Sequence, residues 1–441
     1  VPAQWPRLDA GELRALRGLD YESLAVRVIA PFVAGGSVTP EALRSLVADA
    51  YAGFDHAARA PLVQLDQRLW MMELFHGPTL AFKDYALQLL GRLFDHVLSQ
   101  RGQRATIVAA TSGDTGSAAI EACRDREALD IFVLHPKGRV SEVQRRQMTT
   151  IDSANVHNIA VEGSFDDCQD LVKAMFNDQG FRDALSLSAV NSINWARIVA
   201  QTVYYVAAAV ALGAPDRPVA FSVPTGNFGN VYAAYGARAM GLPIEKLIVG
   251  TNRNDILHRF FDGGEMRMEV VVPTISPSMD IQISSNFERL LFDLHERDGA
   301  AVAAVMTDFR RDGRFAVDPG DLARLRSLFE SHRVDDDGIS AIIAETHART
   351  GQLVDPHTAV GLAASRASGL DPEVALVSLA CAHPAKFPDA VEAASGIRPA
   401  LPSRLADLMQ RPERLTELPN DLAAVQAFVR DHARAGKAAA A

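Results

Sequence analysis

From about Leu62 onward, short apolar runs alternate with glycine-bearing turns and with longer runs whose apolar positions recur at helical spacing. That rhythm is expected of a parallel sheet whose strands are joined by helices. The runs LWMMEL, ATIVAA, IFVLH, NIAVEG, VAFSV, KLIVGT and VALVSLA predict strands, and helices are predicted over residues 84–99, 116–126, 165–177, 195–212 and 228–240. The first sixty residues alternate helical patterns with turns, and Thr39 followed by Pro40 is a helix start signal, with a side-chain cap and a proline at the first helical position. Residues 317–351 read as helical throughout, with one acidic, solvated face and no assigned chemistry. The alanine-rich tail is expected to fray.

Length and composition narrow this picture. A chain of 441 residues exceeds the usual single core, so two or more lobes with a cleft between them are expected. The composition is 48% hydrophobic and 22% charged, ordinary for an α/β enzyme-sized chain. A net charge of −10 without a long basic run argues against a nucleic-acid surface and for small-molecule partners. The apolar run VYYVAAAVAL is far shorter than the ~18 residues of a membrane span and predicts a buried helix. Cys123, Cys168 and Cys381 are too widely spaced for a disulfide framework or a CxxC metal site, and a reducing cytoplasm is expected.

Candidate chemistry begins at Lys83, framed by Leu80, Ala81 and Phe82. Taken alone it reads as a snorkelling lysine at a helix edge. Ligands of open α/β sheets gather at the carboxyl ends of strands, and three such ends stand out. In TSGDTG, Thr111, Ser112, Gly113, Asp114, Thr115 and Gly116 could seat an anion at a helix N-terminus, or simply cap that helix. In PTGNFGN, Gly226, Asn227, Phe228, Gly229 and Asn230 form a phosphate cup by type, with neither a P-loop nor a Rossmann fingerprint in the chain. In CAHPAKF, Cys381 offers a weak directional hydrogen bond at a strand end, or fills a core. A fourth segment places Asn191, Ser192, Asn194 and Arg197 at the start of the longest apolar helix, a set suited to a phosphate or carboxylate.

Together these features meet the three demands of pyridoxal phosphate: a lysine for the aldehyde, a cup for the phosphate and a partner for the ring nitrogen. An ordinary lysine is neutral in only about one molecule in 2,500 at pH 7, and an apolar frame shifts it towards the reactive amine.

The stretches ELFHGPTLAFKD, ATSGDTGSA, NSIN, PTGNFGN and AHPAKF, in this order, closely resemble the motifs of the threonine synthase family, in the longer form of many bacteria and fungi. The resemblance covers nearly the whole chain. It implies a fold-type II, tryptophan-synthase-β-like α/β architecture of two nested lobes with parallel-type sheets, with helical N- and C-terminal regions. The implied division is an N-terminal region over 1–61, lacking the family's usual beginning ahead of Val1, a large cofactor-binding domain over 62–85 and 195–391, a smaller inserted domain over 86–194, and a helical C-terminal region over 392–441.

The resemblance further implies that Lys83 holds pyridoxal 5'-phosphate covalently and moves protons, that Gly226 to Asn230 cradle its phosphate, and that Asp114 lies near the ring hydroxyl. Cys381 would face the pyridine nitrogen, where the family commonly has threonine. Thr111, Ser112, Gly113 and Thr115, with Asn191, Ser192 and Arg197, would hold the carboxylate and phosphate of O-phospho-L-homoserine. The implied reaction is γ-elimination and β-hydration to L-threonine, without a metal, in a cytoplasmic monomer or homodimer. A phospho-lyase giving 2-oxobutyrate, a serine or threonine dehydratase, and a non-catalytic metabolite sensor are the alternatives. Asp355, His357 and Thr358 also match the family, with His357 either touching ligand or, as the favoured reading, bracing the site.

Overall fold

A computed structural model describes residues 1–111, 113–191 and 193–435. Ser112, Ser192 and the tail from 436 to 441 lie outside the described residues. The chain divides into one unit of residues 1–32, 55–76 and 195–399 and a second of residues 33–54, 77–194 and 400–441.

The first unit is built on a six-stranded sheet in the order Leu62–Gln64, Leu69–Glu73, Ala375–Ala380, Val219–Pro224, Ile244–Thr251, Phe329–Arg333. All neighbours run parallel except the first pair. Strands covered on both faces need continuous apolar runs, and Val219–Pro224 and Ala375–Ala380 are buried at every position. The helix Pro356–Ala367 packs on this sheet. Gly361 permits that approach, since a Cβ there would lie 2.9 Å from Ser378 Oγ and 3.0 Å from Pro224 Cδ. Met71, Ala220, Ile248, Val360 and Leu376 belong to the resulting core.

The second unit carries a five-stranded, all-parallel sheet in the order Thr416–Pro419, Val156–Glu162, Leu129–Pro136, Ala105–Ala110, Leu187–Ser188. Val108, Phe132, Leu134, Ile159 and Val425 share its core. The helices Lys83–Gln100 and Asp114–Cys123 pack closely because Gly91 leaves room for the Ala122 carbonyl, which a Cβ would meet at 2.3 Å.

One expectation is corrected. Residues 317–351 are not one helix: the helices Pro319–Leu328 and Asp336–Thr350 flank the strand Phe329–Arg333. The pairing of that strand with Ile244–Thr251, and the burial of Phe329, outweigh local propensity. The region after 392 is largely helical, as expected, and also carries one strand. Its strand Thr416–Pro419 adds an edge to the second sheet, and its helix Leu422–His432 packs into the same core. Lys83 falls within residues 77–194 of the second unit.

That C-terminal helix docks over an unusual cluster. His157 stacks on Phe132 with centroids 4.5 Å apart and lies 5.4 Å from the ring of His432. Burial and then the His432 ring push the His157 pKa down to about 4, against an upward pull from Asp130 that exceeds the slight further lowering by Arg434. The unfolded chain therefore binds the extra proton between its ordinary value of 6.5 and about 4, and the stability contribution is lost as pH falls through that window. With partial solvent screening, thermal melts should show about 1–2 kcal/mol less stability at pH 4 than at pH 7 from this group. His157→Phe should remove that part of the acid sensitivity; an unchanged pH profile would count against it.

Candidate active site

In the second unit, Lys83 opens its helix directly after a tight turn. Asp84 fixes the turn: it is fully buried and accepts from the Thr79 backbone N–H at 2.8 Å and the Thr79 hydroxyl at 2.6 Å. Leu80, with φ +63°, takes the left-handed conformation the turn requires. Lys83 is thereby aimed inward. Its Nζ lies 3.7 Å from Asp114 Oδ2, and the two side chains are only 11% and 6% exposed. A snorkelling lysine would keep its ammonium in water, and this one does not.

Asp114 is held from its other side. Gln144 Nε2 donates to Asp114 Oδ1 at 2.9 Å, and the Ser141 hydroxyl donates to Gln144 Oε1 at 2.9 Å. Gly113 makes the arrangement possible, because a Cβ there would fall 2.4 Å from Gln144 Oε1. Thr111 Oγ1 accepts from the backbone N–H groups of Gly113 at 3.0 Å and Gly116 at 2.9 Å, the capping role that the sequence left open. Thr115 is partly exposed in the first helical turn. Asn191 is exposed and accepts from the Ile193 N–H at 3.1 Å. The structure thus brings Lys83, Gly113 and Asp114 together. Ser112 and Ser192, also expected at the site, are outside the described residues.

In the first unit, the strand Val219–Pro224 runs into Gly226 to Asn230 and then the helix Gly229–Ala239. Phe228 sits at φ +59°, a conformation costing a bulky residue about 1–3 kcal/mol. Its fully buried ring offsets that cost against Phe261, Phe287 and Phe329. The loop's carbonyls are tied back: Gly226 O accepts from Ser284 Oγ at 2.7 Å, and Asn227 O from the Asn286 backbone N–H at 3.1 Å. Among the described residues none of the five backbone N–H groups from Gly226 to Asn230 is donated to protein. Undonated N–H groups at a helix N-terminus make an anion seat.

Two side chains of this unit add to it. Asn230 is 5% exposed, and its buried Nδ2 has no acceptor among the described residues. Arg197, in the helix Trp195–Ala211, is likewise 5% exposed, and its Nη1 has no partner among the described residues. Burial pulls its pKa down to about 10, partly opposed by Tyr204. A buried guanidinium in this state is stabilised by an anion.

Cys381 follows the strand Ala375–Ala380 and is buried. Its N–H donates to Thr358 Oγ1 at 3.2 Å, and the Thr358 hydroxyl donates to Asp355. Asp355 Oδ1 also accepts from the His357 ring at 2.9 Å, while His357 Nε2 accepts from the Ser278 N–H at 3.2 Å. Both ring nitrogens of His357 are therefore engaged by protein. Sequence reasoning missed Gln144, Ser141, Tyr204 and Tyr205, which carry no motif and act through residues distant in the chain. The donor set fits a phosphorylated pyridine aldehyde: buried amide and backbone N–H groups for the phosphate, a primary amine for the carbonyl, and a neutral thiol for the ring nitrogen.

Comparison with known proteins agrees with this chemistry. Residues 1–51 match the model "Threonine synthase N terminus", residues 54–309 match "Pyridoxal-phosphate dependent enzyme", and residues 358–429 match "Threonine synthase, C-terminal". The threonine synthase of Pseudomonas aeruginosa is 57% identical over 99% of this chain and 93% of its own length, and that of Corynebacterium glutamicum is 41% identical over 98% and 92%. A solved structure of threonine synthase from Brucella melitensis with pyridoxal phosphate bound superposes with a TM-score of 0.97 at 54% identity, over 99% of this chain and 93% of that one.

Proposed function

The chain belongs to the threonine synthase family of pyridoxal-phosphate-dependent enzymes, and from that premise we propose that its substrate is O-phospho-L-homoserine, with the residues of the two units dividing the work. The observation that carries this reading is the presence of two anion receptors in the first unit. The Gly226–Asn230 cup suits one phosphate, and Arg197 is a second, separately buried receptor. A dehydratase acting on an unphosphorylated amino acid would need the second only for a carboxylate, a role proposed here for the TSGDTG loop.

The cofactor, when bound, supplies an electron sink that acidifies the carbons next to the substrate's amino group. The chain does the rest. The Gly226–Asn230 backbone and Asn230 Nδ2 hold the cofactor phosphate. Cys381 contributes a neutral contact to the ring nitrogen, weaker than a hydroxyl would give. Lys83 Nζ holds the cofactor, takes the proton from Cα, and moves protons at Cβ and Cγ as phosphate leaves and water adds. Asp114, oriented by Gln144, sits against Lys83 Nζ and would lie near the ring hydroxyl of the bound cofactor. Arg197 binds the substrate phosphate and keeps it in place after it leaves. The TSGDTG loop, shaped by Thr111, presents backbone donors to the substrate carboxylate, assisted by Ser112 and Thr115; Asn191 and Ser192 assist Arg197.

Three free, buried cysteines accord with a reducing cytoplasm, and among the described residues no helix is long and apolar enough to cross a membrane. The test is to incubate the cofactor-loaded protein with O-phospho-L-homoserine and identify the products. Threonine and inorganic phosphate in equal amounts are expected; 2-oxobutyrate with ammonia would assign a phospho-lyase instead.

A further inference from the structure

Two consecutive tyrosines in the middle of the helix Trp195–Ala211 end on a single atom. The Tyr204 hydroxyl donates to Asn230 Oδ1, and the Tyr205 hydroxyl lies 2.7 Å from the same oxygen and 3.0 Å from the Asn230 carbonyl. Both tyrosines are fully buried, with ring centroids 4.9 Å apart, and Tyr205 makes an edge contact with Phe221 of the strand leading to the cup. The amide they grip has its other end, Nδ2, buried and undonated.

A free asparagine amide can rotate to present either its oxygen or its nitrogen, since the two ends are nearly the same size. At the mouth of a phosphate cup the orientations are opposite in sign: Nδ2 donates to an anion, whereas Oδ1 repels it. Two phenols at Oδ1 bias the choice, because after rotation they would have to accept from Nδ2 instead of donating, and Oδ1 would take the buried place of Nδ2. We propose that Tyr204 and Tyr205 are positioning residues that lock the Asn230 amide with Nδ2 towards the phosphate group of the cofactor, and so set the affinity for it.

The pair also links two parts of the first unit. Tyr205 interacts with Cys381 at the far strand end, and burial followed by this interaction raises its pKa, keeping the phenol protonated as a donor over the working pH range. Tyr204 stands beside Arg197, seven residues earlier on the same helix, so its hydroxyl belongs to the surroundings of both anion receptors.

The inference rests on the reading of the Gly226–Asn230 loop as a phosphate cup. Its test compares two probes, pyridoxal phosphate and pyridoxal, titrated into cofactor-stripped full-length protein and followed by absorbance and tryptophan fluorescence. Wild type should bind the phosphorylated probe much more tightly. Tyr204→Phe and Tyr205→Phe should each weaken pyridoxal phosphate binding several-fold, and the double variant should do so about ten- to a hundredfold, while pyridoxal binding and the melting temperature of the stripped protein change little. In an Asn230→Ala background the tyrosine substitutions should add nothing further. The single variants carry the test if the double variant does not fold. Equal weakening for both probes would make the tyrosines merely structural and overturn the proposal; a wild type that fails to distinguish the probes would overturn the cup itself.

Discussion

Replacing Lys83 with alanine is expected to leave a folded protein that has lost about 10⁴-fold or more in kcat and the visible absorption of the cofactor-loaded enzyme. The loss is this large because one nitrogen serves both as the attachment point and as the base. The variant also removes the cation 3.7 Å from a carboxylate that is almost wholly buried. Asp114 keeps its Gln144 bond, so the helix Asp114–Cys123 should remain in place. Stripped wild type and variant should therefore melt within a few degrees of one another. Absorbance spectra and single-turnover product formation check the prediction, and a variant that stays coloured and active would move the chemistry away from Lys83.

The second large effect concerns Arg197. Arg197→Ala should raise KM for O-phospho-L-homoserine about a hundredfold, with little change in the cofactor spectrum, since removing one partner of a buried charge pair costs the bound state several kcal/mol. Arg197→Lys should restore little, because a point charge on a flexible stem does not reproduce the planar fork. Equal loss of cofactor and substrate binding would instead indicate a folding role. The same residue burdens the ligand-free protein. Its pKa of about 10 in the fold lies below the ordinary 12.5, so the unfolded chain binds more protons between those values, and stability rises with pH across that window. At neutral pH the cost of burying the cation is present in full. Arg197→Met should accordingly stabilise the ligand-free protein by about 1–3 kcal/mol and give a smaller thermal shift with inorganic phosphate than wild type, the remainder coming from the 226–230 cup.

Much of the scaffold was legible because its strands are covered on both faces and so are written as unbroken apolar runs. Each of the seven apolar runs forms a strand. The strand Phe329–Arg333 was not legible: it sits at a sheet edge with only Phe329 buried, and its sequence FESHR carries neither an apolar run nor strict alternation. Thr416–Pro419 was hidden for the same reason, being another edge strand in the sheet of the second unit.

At the site, the residues that would touch ligand were readable from motif chemistry: a lysine in an apolar frame, glycines at a strand end, an arginine at the start of an apolar helix. Their supports were not. Gln144 reaches Asp114 across thirty positions, and Tyr204 and Tyr205 reach Asn230 across about twenty-five, in a stretch whose apolar character announced only burial.

By itself, then, the amino-acid order determined the buried strands of both sheets with their flanking helices, the family, and the residue types available to a cofactor and an anionic substrate. These depend on local periodicity and on residue type, which a linear string contains. Only the tertiary structure decided that Lys83 meets a carboxylate rather than water, that Thr111 spends its hydroxyl on its own loop, that the cup leaves its N–H groups undonated, and that Asn230 is gripped by its oxygen. Each of these depends on which partner occupies a hydrogen-bonding direction, and that is set by distant segments packing at ångström distances.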